Sequence, residues 1–147
     1  MRISVGCDHA GFRMKQAVLA WLGSNGVTVT DRGTGDEASV DYPDHAHAVA
    51  ADVAEHRSEL GILLCGSANG VNITANKHAG IRSAIAWNEE VARLARQHND
   101  ANILALPARF IDEVLALRIV EAFLNASFEG GRHSRRVEKI ERPEARL

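Results

Sequence analysis

Cys65 and the run Gly66-Ser67-Ala68-Asn69-Gly70 that follows it are where residue type and spacing point most directly to chemistry. Ile62 to Leu64 is a short apolar run bounded by glycines, a pattern that suits a strand buried on both faces and leaves the thiol at its carboxyl end. The small residues after it let the backbone turn tightly and turn its N–H groups outward. Val71, Ile73 and Ala75 then open a short helix, whose N-terminal dipole favours negative charge at the loop. A thiol so placed is expected to ionise more readily than a free cysteine. The same segment also fits an inert core cysteine before an ordinary strand-to-helix turn. It contains neither Gly-Lys-Ser/Thr nor Gly-x-Gly-x-x-Gly, so it speaks for an anion or a developing oxyanion and not for a nucleotide loop.

Other polar residues admit two readings each. Asp8-His9 is an acid/base pair or a pair of turn residues, with Asp8 accepting backbone N–H bonds. His98, in His98-Asn99-Asp100, is a site residue or a helix-end side chain satisfying free carbonyls. Tyr42, extended before Pro43, is a lid contact or simple packing. Arg132 and Arg136, spaced i, i+4 after Gly130-Gly131, share a face if the segment is helical from Arg132 and then clamp one phosphate; the plainer reading is a solvated basic tail. Asp44-His45-Ala46-His47 has the composition of a metal site, but histidines two apart on a helix point in nearly opposite directions, so no metal is expected.

The elements that position these residues alternate. Ile3 and Val5 lead as a strand into Gly6-Cys7-Asp8-His9-Ala10-Gly11, and Phe12 to Leu22 reads as a helix with Met14, Ala17, Val18, Trp21 and Leu22 on one face. Val27 to Thr30 is a second strand; a polar loop from Arg32 to Tyr42 leads to a helix from Pro43 to about His56 that buries Val49 and Val53. Ile81 to Ala86 is a fourth strand, Asn88 caps a helix from Glu89 to about His98, and Asn102 to Leu106 is a fifth strand stopped by Pro107. Arg109 follows, then an amphipathic helix with Val114, Leu117, Val120 and Leu124 on one face. Five strand-helix alternations predict a Rossmann-like three-layer α/β/α sandwich with a five-stranded parallel sheet and a C-terminal helical tail. Ligands of such sheets bind beyond the carboxyl ends of the strands, which would crowd Cys7, Asp8, His9, Cys65 to Gly70 and Arg109 along one edge.

Length and composition agree with one domain over residues 1–147 that needs no disulfide staple. Two cysteines suit a reducing compartment, and no run reaches the length of a spanning helix, so a cytoplasmic protein without a membrane partner is expected. A net charge of −2 and few aromatics argue against nucleic acid and for a small-molecule ligand.

With these pieces in order, the chain resembles the type B ribose-5-phosphate isomerases of the ribose/galactose-phosphate isomerase family. The matching blocks are Gly6-Cys7-Asp8-His9-Ala10-Gly11-Phe12, Asp41-Tyr42-Pro43, Gly61-Ile62-Leu63-Leu64-Cys65-Gly66-Ser67, Ala75-Asn76-Lys77, Gly80-Ile81-Arg82, Arg96 to Asn102, and Glu129-Gly130-Gly131-Arg132-His133. The resemblance implies cofactor-free interconversion of ribose 5-phosphate and ribulose 5-phosphate in the non-oxidative pentose phosphate pathway. It implies Cys65 as the base, Ser67 exchanging protons with the sugar oxygens, and His98 with Asp8 opening the furanose ring. It further implies that the Gly66 to Gly70 amides, Asn69 among them, hold the enediolate oxygen together with Asn99, and that Arg132 and Arg136 hold the phosphate, with His9 and Arg109 near. Tyr42 joins the binding residues through the Asp41-Tyr42-Pro43 block. A homodimer with the active site at its interface is implied, with further pairing into a tetramer open, and the tail from about 126 is expected on the partner. Some relatives carry a Glu just after the loop's Asn-Gly; here Val71 stands there, which leaves Cys65 as the base. Ser67 replaces a Thr and Ala68 a Gly. The alternatives are a six-carbon substrate, allose or galactose 6-phosphate, and a non-catalytic phosphate- or nucleotide-binding module.

Overall fold

The computed structural model describes residues 1–146. Five parallel strands, β1 (Arg2–Cys7), β2 (Thr28–Asp31), β3 (Leu60–Cys65), β4 (Ser83–Ile85) and β5 (Ile103–Pro107), form one sheet in the order β2-β1-β3-β5-β4. Helices α1 (Phe12–Ser24), α4 (Glu89–Asn99) and α5 (Glu113–Asn125) cover one face, and α2 (Tyr42–Ala54) and α3 (Asn69–Ala75) the other. The predicted sandwich and strand count are those found. Alternation along the central strands divides the core in two: Ile62, Leu64, Leu104 and Leu106 pack with Val18, Leu22, Ile119 and Phe123, whereas Leu63, Cys65, Ile103 and Ala105 pack with Val49, Val53 and Val71. The order of connections reverses between β1 and β3, so the crevice that open sheets use for ligands lies between the ends of these two strands.

Several elements differ from their sequence patterns for identifiable reasons. The fourth strand shrinks to three residues because side-chain amides replace ladder bonds at its start: Arg82 N–H donates to Asn102 Oδ1, and Ser83 N–H to Asn76 Oδ1. On α5 the buried stripe is Ala116, Ile119, Val120 and Phe123, with Val114 62% exposed; the Arg96 guanidinium lies 5.7 Å from the centre of the Phe123 ring. On α1 the buried face includes Lys15, while Ala17 and Trp21 are only half-buried. The tail forms a 3-10 turn over Gly131–His133 and a short α6 (Ser134–Glu138). No helix of the described residues is long and apolar enough to cross a membrane.

One buried charge ties the β1 side together. Asp52 of α2, 1% exposed, accepts from Ser4 Oγ at 2.7 Å, from Arg32 at 2.6 and 2.7 Å, and from Arg57 at 2.9 Å. The Arg32 guanidinium, helped by Ser4 and Arg57, holds the carboxyl well below the usual carboxylate range. A depressed folded-state pKa stabilises the fold above the ordinary carboxylate range, and that stability is lost as pH falls toward the folded value. Asp52→Asn is therefore expected to cost about 1.5–3 kcal/mol near neutral pH. It should also flatten the decline in stability below about pH 4; urea titrations at several pH values test both.

Candidate active site

The crevice between β1 and β3 is built from turns that small residues permit. Just beyond β1 stands Asp8, whose main-chain N–H reaches Leu64 O at 3.2 Å and whose Oδ1 caps Gly11 N–H at 3.1 Å. Gly11 is obligatory for this approach, since a Cβ there would stand 2.7 Å from the Leu64 carbonyl oxygen. The result brings Asp8 Oδ2 to 3.4 Å from Cys65 Sγ, with both residues buried. After Cys65 the chain turns through Ala68, which adopts φ +68, a left-handed conformation costing about 1–2 kcal/mol for a residue with a Cβ. This is the position where the family resemblance led one to expect glycine.

The turn gathers further site residues. Arg109 N–H donates to Gly66 O at 3.0 Å and its guanidinium lies over Gly66, where an added Cβ would stand 3.2 Å from it. Tyr42, at the start of α2, lies against Gly70 so closely that a Cβ there would clash with its ring. Ser67 is exposed, and its Oγ accepts from Asn69 N–H at 3.3 Å. His9 is held from the far side by Val40 N–H, 3.3 Å from Nδ1. Asp8, His9, Tyr42, Cys65 to Gly70 and Arg109 thus gather at one sheet edge, as the strand order requires.

The electrostatics of the thiol differ from the sequence expectation. Burial, then the charge of Asp8 and its hydrogen bond, push the Cys65 thiol up, against a smaller opposing effect of the main-chain N–H groups of Ala68 and Gly66. The dipole argument failed because burial of the sulfur, together with a carboxylate in contact, outweighs the first turn of a seven-residue helix. Cys65 thus rests as a thiol donating to a carboxylate. Cys7, on the opposite face of the sheet, is pushed up to about 11 by burial. Asp8→Asn is expected to accelerate alkylation of Cys65 by iodoacetamide at neutral pH, by up to about tenfold per pKa unit recovered. Peptide mass spectrometry reads the rate, with Cys7 as the unreactive internal control.

The remaining predicted residues stand elsewhere. α4 runs antiparallel to the strands, so its last residues His98 and Asn99 lie at the sheet's amino edge, where β5 begins. Cys65 pairs with Pro107, four residues beyond Ile103, so about 13 Å of strand separates the two edges. The tail joins His98 on its own chain: Glu129 N–H donates to Gln97 O at 3.0 Å, and the buried His133 ring stacks on His98 at 4.2 Å with a 14° tilt. Arg132 and Arg136, both exposed, flank this stack, and neither pairs with a carboxylate among the described residues. The 3-10 turn breaks the uniform helical spacing that the i, i+4 clamp assumed.

His133 and Glu129 carried no assigned role in the sequence reading; their place beside Arg132 in the Gly-Gly-Arg-His block was the available signal. Donor atoms of His98, Glu129 and His133 lie within 4.8 Å of one another. Imidazole lone pairs lie in the ring plane, and near-parallel stacked rings aim them side by side rather than at one shared point, which does not suit chelation of a single ion. Burial, His98 and the neighbouring arginines lower the His133 pKa. His45 and His47 diverge as their spacing requires, His45 to Arg32 O at 2.9 Å and His47 to His78 at 2.7 Å. A cavity of about 580 Å³ at the amino edge, between Lys77 to Ala84 and Ile140 to Arg142, takes in Asn99 and not Cys65.

Fold and site together define a small α/β protein with an acid–thiol pair at the switch point of a parallel sheet and a separate histidine–arginine cluster at the opposite edge. Residues 3–140 match the model of the Ribose/Galactose Isomerase family. The chain belongs to that family. It is 47% identical to ribose-5-phosphate isomerase B of Escherichia coli, over 95% of this chain and 93% of that protein. The crystal structure of a Thermotoga maritima ribose 5-phosphate isomerase superposes with a TM-score of 0.93 at 47% identity, covering 95% of this chain and 96% of that one. The Mycoplasma genitalium ribose-5-phosphate isomerase B, solved with bound ribulose-5-phosphate, gives 0.94 at 41% identity, covering 99% and 97%.

Proposed function

We propose that the chain interconverts ribose 5-phosphate and ribulose 5-phosphate, with Cys65 as the base, in a site completed by a second copy of the chain. The observation that carries this is the Cys65–Asp8 contact under the loop amides, in a chain of this family whose histidine and arginines lie at the other edge of its sheet. One protomer supplies Asp8, His9, Tyr42, Cys65 to Gly70 and Arg109. Its partner supplies His98, Asn99, Arg132 and Arg136, the tail that carries the arginines reaching across the interface. Exposed Trp87, Phe110 and Val114 offer apolar surface for such a contact.

The chemistry follows from the groups. The partner's His98, with Asp8 opposite, moves the proton that opens the furanose ring. The Cys65 thiol then passes its proton to Asp8, and the thiolate takes the proton from the carbon beside the carbonyl. Negative charge that develops on the sugar oxygen is held by the N–H groups of the 66–70 turn and the partner's Asn99, each donor contributing about 3–4 kcal/mol. Ser67 exchanges the hydroxyl proton between the two sugar oxygens, the sulfur returns the abstracted proton to the neighbouring carbon, and Asp8 hands its proton back to the thiolate, which restores the starting thiol and carboxylate. Arg132 and Arg136 of the partner subunit, with His9 and Arg109, neutralise the phosphate.

Turnover of ribose 5-phosphate, with exchange of the C2 proton for solvent deuterium, tests the assignment. Exchange with preference for five-carbon over six-carbon phosphates is the expected result. Preference for allose or galactose 6-phosphate would move the substrate up by one carbon, and binding without exchange would make the chain a non-catalytic phosphate module.

A further inference from the structure

Lys15 is fully buried, and the proposed chemistry makes no use of it. Its Nζ donates to Asp31 Oδ1 at 2.7 Å and to Thr34 O at 2.6 Å. Asp31 Oδ1 also accepts Gly33 N–H at 2.9 Å. The same short segment is stitched to the end of β1, with Cys7 N–H donating to Gly33 O at 2.7 Å and Thr34 N–H to Cys7 O at 2.9 Å. Desolvating an ammonium is costly, so this position is held against a penalty that surface lysines avoid. What the ammonium fastens is the root of the loop that ends at Val40 and Asp41.

That loop ends on His9. Val40 N–H donates to His9 Nδ1, and a peptide N–H has no acceptor role to exchange for it. Nδ1 therefore carries no proton, and the proton of the neutral ring sits on Nε2. An Nε2–H is a donor, the form a phosphate oxygen requires, whereas the other tautomer would present a lone pair to an anion. On the exposed side the loop is held by the Arg13–Glu37 ion pair at 2.5 Å, and Ala38 N–H turns onto Asp36 Oδ1.

We propose that Lys15 and the loop it roots are a positioning device that fixes His9 as the Nε2–H tautomer, so that the neutral ring meets the substrate phosphate as a hydrogen-bond donor. This rests on the reading that His9 faces the phosphate. Lys15 acts through the loop and touches no reacting atom; it is a positioning residue.

Long-range proton–nitrogen correlation spectra of the full-length, ligand-free protein, recorded well above the ordinary histidine pKa and assigned with His9→Gln, read the tautomer directly. Wild type is expected to show His9 protonated on Nε2 alone. Lys15→Met should mix the tautomers and raise KM for ribose 5-phosphate by about 3- to 10-fold, the scale of one neutral hydrogen bond, while kcat changes little. Val40→Pro, which deletes the donor without touching the core, should do the same and serves if Lys15→Met does not fold. Protonation of His9 on Nδ1 in wild type overturns the inference, as do folded variants with unchanged tautomer and KM. Absence of any turnover in wild type, with the Nε2–H tautomer present, instead overturns the isomerase reading.

Discussion

Cys65→Ala is expected to lower kcat for ribose 5-phosphate by about 10³–10⁴-fold, the upper part of the range for removing a positioned general base. The loss should fall on kcat and leave KM within a few-fold, because the proposed phosphate ligands Arg132 and Arg136 lie at the other edge of the sheet and Arg109 is seated by main-chain bonds to Gly66 that do not involve the sulfur. Cys65 is 8% exposed, with Asp8 and main-chain amides at the sulfur and the smaller core half behind it, so removal of one sulfur atom leaves only a small void. Val71 stands one helical step beyond the loop and offers no carboxylate to substitute. Retention of normal turnover would remove the thiol from the mechanism; steady-state kinetics with thermal melts, to show that the variant is folded, decides the matter. The Cys65→Ala protein should likewise lose C2 proton exchange with solvent.

Arg132→Ala is expected to raise KM roughly 10- to 100-fold, since a charge-assisted hydrogen bond to an anion is worth about 1.5–3 kcal/mol. The sharper result comes from mixing it with Cys65→Ala. A thiol at the carboxyl edge and an arginine beside His98 at the amino edge lie on opposite sides of one chain's sheet. Within a dimer, a Cys65→Ala subunit still gives an intact Arg132, and an Arg132→Ala subunit still gives an intact Cys65. Subunits re-assorted at random would form mixed dimers with one wild-type site of two, recovering about a quarter of wild-type activity from two defective parents. Recovery measured at substrate concentrations too low for the Arg132→Ala sites would support the shared site. No recovery, with mixed dimers present by native mass spectrometry, would return both groups to a single chain.

Much of this was legible in the residues themselves. Apolar runs at 62–64 and 103–106, β-branched 27–30 and the Asn88 cap specify their elements locally, because strand burial, capping and turn chemistry depend on near neighbours in the chain. The clustering of Asp8, Cys65 and Arg109 followed as well, since parallel strands joined by helices must bring their carboxyl ends to one edge.

Three features answered to contacts between distant segments. The upward shift of the Cys65 thiol comes from its burial and from a carboxylate 57 positions away, and no local pattern reports that carboxylate's approach to 3.4 Å. Lys15 lies on the same stripe as Val18 and Leu22, yet only Asp31 and the Thr34 carbonyl make its burial tolerable. His98 and His133 meet because the tail folds back across the end of α4. Sequence alone determined which elements form and which residues can do acid–base or phosphate chemistry, because those follow from side-chain type and short-range periodicity. Only the tertiary structure decided which charges face each other and which edge each group occupies, because Coulomb and desolvation energies depend on separation and burial in space.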